Sequence, residues 1–329
     1  MLALGFTALA FTTTNSFALS WDVSLWGKRR AFTEHVEKLA ELVDKKTDGK
    51  FKLKISYGGL SKNKANLDGI SKGNFEMAQF CAGYHRDKNP TITVLELPFL
   101  GVDTLDKELA VSKAVYAHPA TQKDLARWNA TLLMPTPLPQ YNIAGVGDAP
   151  AKLADFKGMS LRATGGIGKA FKTIGAKPVS ITATEVFTSL ERGLISGVAF
   201  AQHAHMAFKT VEKAKWWTTN LNPGSVNCPV VVNTKALEGL KKEYKEALLS
   251  SVDEALTHYL ENYKTKTIAK FEDVLKKNEI KKVAFADAEI EAFKKAAAEP
   301  AKAAWIKDMT AKGLPAQELY DLVITTLKK

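Results

Sequence analysis

Alternating apolar and polar positions near the start of the chain predict short strands separated by helices. Residues 21–26 and 51–57 place apolar side chains at every second position, a period that is typical of strands with one buried face. Between them, 32–43 carries its apolar residues at helical spacing, so we expect an amphipathic helix there. A short helix over 67–72 and a strand over 75–81 complete a β-α-β-α-β opening, which predicts a largely parallel sheet.

A second alternation of predicted strands and helices follows the proline-rich stretch 128–143, which is itself predicted to be extended. The predicted elements are a strand over 159–163, a helix over 168–175, a strand over 178–181, a helix over 184–192 with Thr184 as its N-cap, and strands over 197–200 and 226–233. From 234 onward the pattern is almost wholly helical, and 240–274, without proline or glycine, is expected to include one very long helix. Two α/β units of this kind predict a ligand cleft at the carboxyl ends of their strands.

The first 18 residues have the pattern of an export signal. Leu2 to Phe11 is an uncharged apolar run, and small residues follow at Ser16 and Ala18, as signal peptidase requires. We therefore expect a cleaved signal peptide over 1–18 and a periplasmic protein. A buried N-terminal helix is the alternative, because no basic residue opens the run.

Composition narrows the class of function. The 329 residues carry a net charge of +11 and are 46% hydrophobic, which suits two globular domains. The excess lysines alternate with glutamates on predicted helical faces, as in 241–246, so they indicate a solvated surface and no nucleic-acid site. Cys81 and Cys228 are too few for a disulfide framework, and we expect two free, mostly buried thiols.

The sequence shows no arrangement typical of catalysis. His203 and His205 lie two residues apart, which suits a metal only on one strand face and with a further ligand. The glycine-rich stretch 165–168 lacks phosphate-loop spacing, although its backbone N–H groups could approach a ligand closely. Without a paired acid and base or an activated nucleophile, an enzyme is disfavoured.

Arg162 is the candidate binding residue. It ends the predicted strand 159–163, directly before the glycine-rich stretch. A guanidinium at the carboxyl end of a strand can face the cleft and pair with a carboxylate through two hydrogen bonds. A solvated arginine, or one paired with a neighbouring acid, fits the position equally well.

Several segments together resemble one family, the extracytoplasmic solute receptors of TRAP transporters (tripartite ATP-independent periplasmic transporters). The matching segments are 46–53, 67–77, 97–100, 156–162, 174–179 and 185–193. The most specific are FKGMSLR at 156–162 and EVFTSLERG at 185–193, where the family pattern reads lkGlkiR and EvytaLq.G. Their order and spacing extend over nearly the whole chain after residue 18.

The resemblance implies an α/β periplasmic binding protein fold, in which two domains close over a ligand and are joined by hinge strands and a long C-terminal connecting helix. It places 19–141 and about 228–265 in domain I, and 142–227 and about 266–329 in domain II. It also implies that Arg162 binds a carboxylate and that a monomeric receptor, without cofactor or nucleic acid, delivers the ligand to TRAP membrane subunits.

Two departures from the family pattern bear on the site. Ala199 stands where metal-binding members have a glutamate ligand, so we expect no metal ion. Gln140, Tyr141 and Asn142 stand where some members have a second arginine. Arg162 is therefore expected to be the only charged group that holds the ligand.

The positions that the resemblance places at the cleft are rich in aromatic side chains. The predicted ligand-binding set is Arg162, Trp26, Cys81, Tyr84, Tyr141, Phe200, Gln202 and Trp217, with Trp216 as the alternative to Trp217. Taken singly, each aromatic residue also fits a core position. As a set with one carboxylate-binding group, they suit a monocarboxylate or a zwitterion better than a dicarboxylate. A ligand-sensing subunit of a membrane receptor fits the same features, and an exported enzyme fits them less well.

Overall fold

Strands and helices alternate through the first two thirds of the chain, and helices dominate the remainder. The computed structural model describes residues 18–329, so the predicted signal peptide, except Ala18, lies outside the described residues. The strands are β1 (Leu19–Leu25), β2 (Phe51–Tyr57), β3 (Met77–Gln79), β4 (Ala130–Met134), β5 (Asn142–Gly145), β6 (Ser160–Arg162), β7 (Lys177–Val179), β8 (Gly197–Phe200), β9 (Trp216–Thr218), β10 (Val230–Asn233) and β11 (Lys281–Val283).

The helices cover both sheets and form the C-terminal part of the chain. They are α1 (Glu34–Lys46), α2 (Asn66–Lys72), α3 (Leu105–Ala117), α4 (Pro119–Ala126), α5 (Gly165–Thr173), α6 (Val186–Glu191), α7 (Gln202–Ala207), α8 (Thr234–Glu238), α9 (Lys242–Leu249), α10 (Val252–Asn262), α11 (Ile268–Lys277), α12 (Asp287–Ala311) and α13 (Ala316–Leu327). Between residues 18 and 329, none of them has both the length and the apolar character needed to cross a bilayer.

Two sheets divide the strands. The first sheet has the order β2-β1-β3-β10-β4 and the second β11-β9-β5-β8-β6-β7. We call each sheet with the helices packed on it the first lobe and the second lobe. The predicted parallel pairing is confirmed for β1 with β2 and β3, and for β6 with β7 and β8. It is wrong for β5 and β10, which run antiparallel to their neighbours because each enters its sheet directly from the other lobe.

Two extended segments connect the lobes. Residues 135–141 run from β4 to β5, and 219–229 run from β9 to β10, which shortens the strand predicted over 226–233. The segments are hydrogen-bonded to each other, since the Tyr141 amide donates to the Gly224 carbonyl at 2.8 Å. Three prolines in 135–139 suit an extended backbone without N–H groups to pair.

Helices connect the lobes as well. The helix predicted over 240–274 is interrupted after α9, and then runs unbroken from α10 through a π turn, Tyr263–Thr267, into α11. α10 packs on α1 of the first lobe, whereas α11 packs on α7 of the second. A single helical run therefore spans both lobes beside the extended segments.

The C-terminus returns to the first lobe. Phe293, in the first half of α12, lies in the core of the second lobe, whereas Trp305 in its second half lies in the core of the first. α13 packs against α3, and its Leu319 and Val323 are fully buried there. The expected domain II included 266–329, whose last helix packs against α3 of the first lobe. The domain boundaries stay a prediction.

The start of α6 differs from the prediction. Thr182, and not Thr184, caps the 3-10 turn Ala183–Glu185 that precedes α6, because Thr182 and Glu185 form a reciprocal capping box. The Thr182 amide donates to Glu185 Oε2 at 2.9 Å. The Thr-x-x-Glu spacing of such a box is present in the sequence at 182–185, and a short 3-10 turn separates it from α6.

A disulfide joins Cys81 to Cys228, so the expectation of two free thiols was wrong. The Phe80 amide donates to the Pro229 carbonyl at 3.1 Å, and the Ala82 amide to the Asn227 carbonyl at 2.8 Å. These bonds place the two cysteines opposite each other on neighbouring extended segments. Such a pairing between positions 147 residues apart depends on the fold and cannot be read from cysteine number.

Removing this disulfide is expected to destabilise the protein by about 2–4 kcal/mol, because the cross-link restricts the unfolded chain. The measurement is urea unfolding of a variant with both Cys81→Ala and Cys228→Ala, compared with wild type. The wild-type protein in reducing buffer should lose a similar amount. Equal midpoints under oxidising and reducing conditions would show that the cross-link is absent in solution.

Candidate functional site

A cavity lies between the two lobes, at the carboxyl ends of β6 and β8. The space that the centre of a water-sized sphere can reach in it is about 30 Å³, so the cavity is narrow and almost closed in this structure. Six aromatic side chains form most of its wall: Trp26, Phe32, Tyr84, Tyr141, Phe200 and Phe208. Two arginines, Arg30 and Arg162, line it, and no aspartate or glutamate of the described chain does. The cavity is thus apolar, with positive charge and no compensating acid.

Most of the predicted ligand-binding residues come together here. Arg162, Trp26, Cys81, Tyr84, Tyr141 and Phe200 all line the cavity. They come from both lobes and from the extended segments between them. Their contact with a ligand stays a prediction, but the structure brings them to one place.

The structure places the other two predicted residues elsewhere. Gln202 lines a separate outer groove with Gln140 and Asn142. Trp217 packs against Phe271 of α11, with ring centroids 5.0 Å apart, and its neighbour Trp216 is fully buried in the core of the second lobe. The sequence placed these residues near the cleft, but it did not show the direction in which their side chains point.

Arg162 is held rigidly at the end of β6. Its Nε donates to the Ile181 carbonyl at 3.2 Å and its Nη1 to the Ala199 carbonyl at 3.1 Å, so the segment that follows β7 and the strand β8 orient the guanidinium. Its Nη2 donates to the Tyr84 hydroxyl at 3.2 Å, and the ring of Phe200 lies 4.4 Å from its Cζ. A guanidinium has five N–H groups, so two remain for a ligand, one on each Nη.

Tyr84 connects the two lobes across the cavity. It follows β3 in the first lobe, yet its hydroxyl oxygen accepts hydrogen bonds from Arg162 Nη2 and from the Ala183 amide at 3.1 Å, both in the second lobe. The hydroxyl proton is left to donate to a ligand. Tyr84 therefore belongs both to the cavity wall and to the contact that holds the lobes together.

Arg30 is a second guanidinium that lines the cavity, and the expectation that Arg162 alone holds the ligand stays a prediction. It lies in the loop between β1 and α1, is 9% exposed and contacts the faces of Trp26 and Phe32. The prediction considered only the position before the hinge, where Tyr141 stands. Within the basic run 28–30, Arg30 resembles a solvated surface residue in sequence, and only the packing of the loop shows that it is buried.

The two candidate histidines do not form a pair. Both lie on the short helix α7 and not on a strand, so their side chains diverge. His203 Nδ1 lies 2.8 Å from the Tyr263 hydroxyl and faces the cavity, whereas His205 Nδ1 lies 2.6 Å from Thr210 Oγ1. Burial lowers the pKa of both imidazoles, that of His205 to about 3, so both are neutral at physiological pH.

The glycine-rich stretch forms a contact between the lobes. α5 begins at Gly165, and a Cβ atom added at Gly166 would lie only 2.0 Å from the main-chain oxygen of Glu96 in the first lobe. One added at Gly165 would lie 2.7 Å from Glu96 Oε2. These glycines thus allow the backbones of the two lobes to approach each other closely. The sequence pattern instead predicted that this loop approaches a ligand.

Glu96 and Glu108 are buried carboxyl groups of the first lobe, and Glu96 contacts segments that line the cavity. Glu96 Oε1 accepts hydrogen bonds from the Gly83 amide at 3.1 Å and from the Asn227 amide at 3.2 Å, which fixes the segments on either side of the disulfide. Burial raises the pKa of Glu96 to about 7 and that of Glu108 to about 8. Sequence periodicity did not identify these residues, because each occupies an otherwise apolar face.

Ionisation of Glu96 and Glu108 is expected to lower the stability of the unliganded protein between about pH 6.5 and 8, above the range in which the buried histidines, whose pKa values are lowered, make stability rise with pH. Both carboxyl pKa values are raised above the ordinary 4.5, so the folded state binds protons more tightly than the unfolded chain in this window, and that advantage disappears above the folded pKa. Glu108→Gln is expected to flatten the decrease in melting temperature, and the exposed Glu243→Gln is not. An unchanged slope in Glu108→Gln would contradict this assignment.

Comparisons with known proteins agree with this architecture. Residues 23–308 match the family model DctP, bacterial extracellular solute-binding protein, family 7. The 2,3-diketo-L-gulonate-binding periplasmic protein YiaO of Escherichia coli K12 is 26% identical over 279 residues, covering 81% of this chain and 80% of that protein.

Two crystal structures have a similar fold. DctP7, a Bordetella pertussis extracytoplasmic solute receptor binding pyroglutamic acid, has a TM-score of 0.81 at 19% identity, covering 95% of this chain and 100% of that chain. A marine metagenome TRAP solute binding protein specific for aromatic acid ligands, in complex with 3-hydroxybenzoate, has a TM-score of 0.84 at 20% identity, covering 95% and 99%. These likenesses confirm the expected two-domain α/β periplasmic binding protein fold.

Proposed function

The chain belongs to the bacterial extracellular solute-binding protein family 7, and from this premise we propose that it is the receptor of a TRAP transporter that binds a small organic monocarboxylate between its lobes. The observation that supports this most directly is the state of Arg162. It is 3% exposed and, in the described part of the chain, forms no ion pair. A carboxylate in the cavity would supply a negative charge to pair with this guanidinium.

The energetic reason is the cost of a buried charge. An isolated ion inside a protein is strongly destabilising unless it is paired or hydrogen-bonded. Backbone carbonyls and Tyr84 satisfy part of Arg162, and these contacts fix its position before a ligand arrives. A carboxylate that accepts hydrogen bonds from the two remaining N–H groups forms a bidentate, charge-assisted contact without reorganising the site.

The aromatic wall favours a ligand with a flat or apolar body. Six aromatic rings suit the flat or apolar body of a monocarboxylate, or of a zwitterion, better than that of a plain dicarboxylate. The relatives support this choice of class, since pyroglutamic acid and 3-hydroxybenzoate each have one carboxyl group. The diketogulonate named for the Escherichia coli protein is also an organic acid.

The remaining parts of the proposal concern location and delivery. Residues 1–18 act as a cleaved signal peptide, and the mature protein works as a monomer in the periplasm. The liganded receptor, closed over its solute, presents it to TRAP membrane subunits. The family supports an extracytoplasmic solute-binding role, and light scattering of the purified protein measures its oligomeric state.

A thermal-shift screen of organic acids, followed by calorimetry, tests the proposed function. A ligand that binds only the folded state raises the melting temperature, so monocarboxylates should do so. The matched control is the carboxamide of each acid, which keeps its shape and lacks its charge. If amides bound as tightly as acids, or if no acid bound, the proposal would be wrong. Recovery of unchanged ligand by NMR distinguishes a receptor from an enzyme.

A further inference from the structure

Arg30 has hydrogen-bonding capacity that the protein does not use. Its Nη1 donates to the Trp26 carbonyl at 3.1 Å and to the Lys28 carbonyl at 2.5 Å. Its Nε and Nη2 are buried and have no hydrogen-bond partner among the described residues. Unpaired buried donors are costly, and these belong to a side chain that lines the cavity.

No acidic side chain compensates this guanidinium. The ion pairs of the described chain do not include it, although its neighbour Arg29 pairs with Glu37 at the surface. Burial lowers the pKa of Arg30 to about 9, which still leaves it charged at neutral pH. The faces of Trp26 and Phe32, 4.5 and 4.4 Å from its Cζ, stabilise the charge partly but accept no N–H hydrogen bond in the plane of the guanidinium.

Arg30 and Arg162 lie on different walls of the cavity. Arg162 belongs to the second lobe and stacks on Phe200, whereas Arg30 belongs to the first lobe and stacks on Trp26 and Phe32. A carboxylate that accepts hydrogen bonds from the two free N–H groups of Arg162 does not use the donors of Arg30, which remain for another acceptor atom of the ligand. Because Nη1 of Arg30 is already paired with carbonyl oxygens, neutral acceptor oxygens can satisfy the other two nitrogen atoms as well.

We propose that Arg30 is a specificity-determining residue of this site, and that the ligand is a carboxylic acid with a second acceptor oxygen, a carbonyl or hydroxyl group remote from the carboxylate. That oxygen accepts hydrogen bonds from Arg30 Nε and Nη2. The inference rests on the proposed function and narrows it. The same charge works against a ligand that presents an ammonium group to the first lobe.

Matched pairs of acids test the inference. Each pair shares a carboxylate and differs in the second oxygen: 4-oxopentanoate and pentanoate, 5-oxohexanoate and hexanoate, 3-hydroxybenzoate and benzoate. In wild-type protein at least one pair should differ about tenfold or more in Kd, as expected for a hydrogen bond to a charged group. In Arg30→Met the difference in Kd within that pair should fall below about threefold, mainly because the acid with the second acceptor oxygen binds more weakly.

Two further variants separate specificity from structural damage. Arg29→Met alters the exposed neighbour and should leave every Kd unchanged. Arg30→Lys retains the charge without the planar fork and should keep part of the preference, and circular dichroism checks that each variant is folded.

The outcomes are distinct. If no acid binds wild-type protein, the proposed function itself fails. If acids bind and require Arg162, but the preference within pairs is absent or survives Arg30→Met, the inference is overturned and the proposed function stands.

Discussion

Arg162→Ala is expected to weaken the binding of any carboxylate ligand by at least about 100-fold while the protein remains folded. Two charge-assisted hydrogen bonds are lost, each contributing about 1.5–3 kcal/mol, and about 1.4 kcal/mol corresponds to a factor of ten. The loss is large because the guanidinium is already oriented by the Ile181 and Ala199 carbonyls, so the wild-type site needs little reorganisation. Calorimetry with the best ligand of the screen measures the effect.

The control for this variant is Arg192→Ala. Arg192 follows α6 in the same lobe and is exposed, so its removal changes the net charge equally without altering the cavity. Arg162→Lys should bind weakly, because one ammonium cannot reproduce the fork. Circular dichroism and the unfolding midpoint confirm that the variants fold. Wild-type affinity in folded Arg162→Ala would show that the carboxylate binds elsewhere.

Gly166→Ala is expected to weaken ligand binding by about 5- to 150-fold by keeping the lobes apart. The new methyl carbon would lie 2.0 Å from the Glu96 main-chain oxygen and 2.9 Å from Pro98 Cδ, so the present contact between α5 and the first lobe cannot form. Forcing one extra carbon into a packed contact costs about 1–3 kcal/mol, and a backbone oxygen cannot move aside as a side chain does. Since Arg162 and Tyr84 meet only when the lobes touch, ligand and closure are linked.

Scattering separates this effect from misfolding. With saturating ligand, wild-type protein should become more compact in small-angle X-ray scattering, whereas Gly166→Ala should keep a larger radius of gyration. Lys172→Ala, on the exposed face of the same helix, is the control and should behave as wild type. Full affinity and full compaction in Gly166→Ala would mean that this contact is not part of the liganded state.

Local pattern was informative where one face of an element is buried. β2 has the bounds that the alternation of side chains predicts, because a strand with one covered face repeats every two residues. Arg162 was identified for a related reason, since a residue at the carboxyl end of a parallel strand reaches the edge where open α/β sheets bind ligands. Family resemblance then selected it from the other arginines.

Pattern was less informative where a helix is interrupted without proline or glycine. The stretch 240–274 contains neither, yet α9 ends before Ser250 and α10 starts after Ser251. The Ser251 hydroxyl donates to the Ala247 carbonyl at 2.7 Å, a local bond through which serine competes with the helical pattern. The break also turns α10 onto α1, so packing selects among conformations that sequence alone leaves open.

The sequence by itself determined the α/β class, the order of most elements, the family and the arginine at the end of β6, because these depend on short-range periodicity and on local motifs. Only the tertiary structure decided the Cys81–Cys228 bond, the burial of Arg30 and the contact of Gly166 with Glu96. Each of these joins segments that are far apart in the chain or packs a loop whose local sequence fits solvent equally well. Long-range packing determines which charges lose water, and that selection gives the cavity its two arginines.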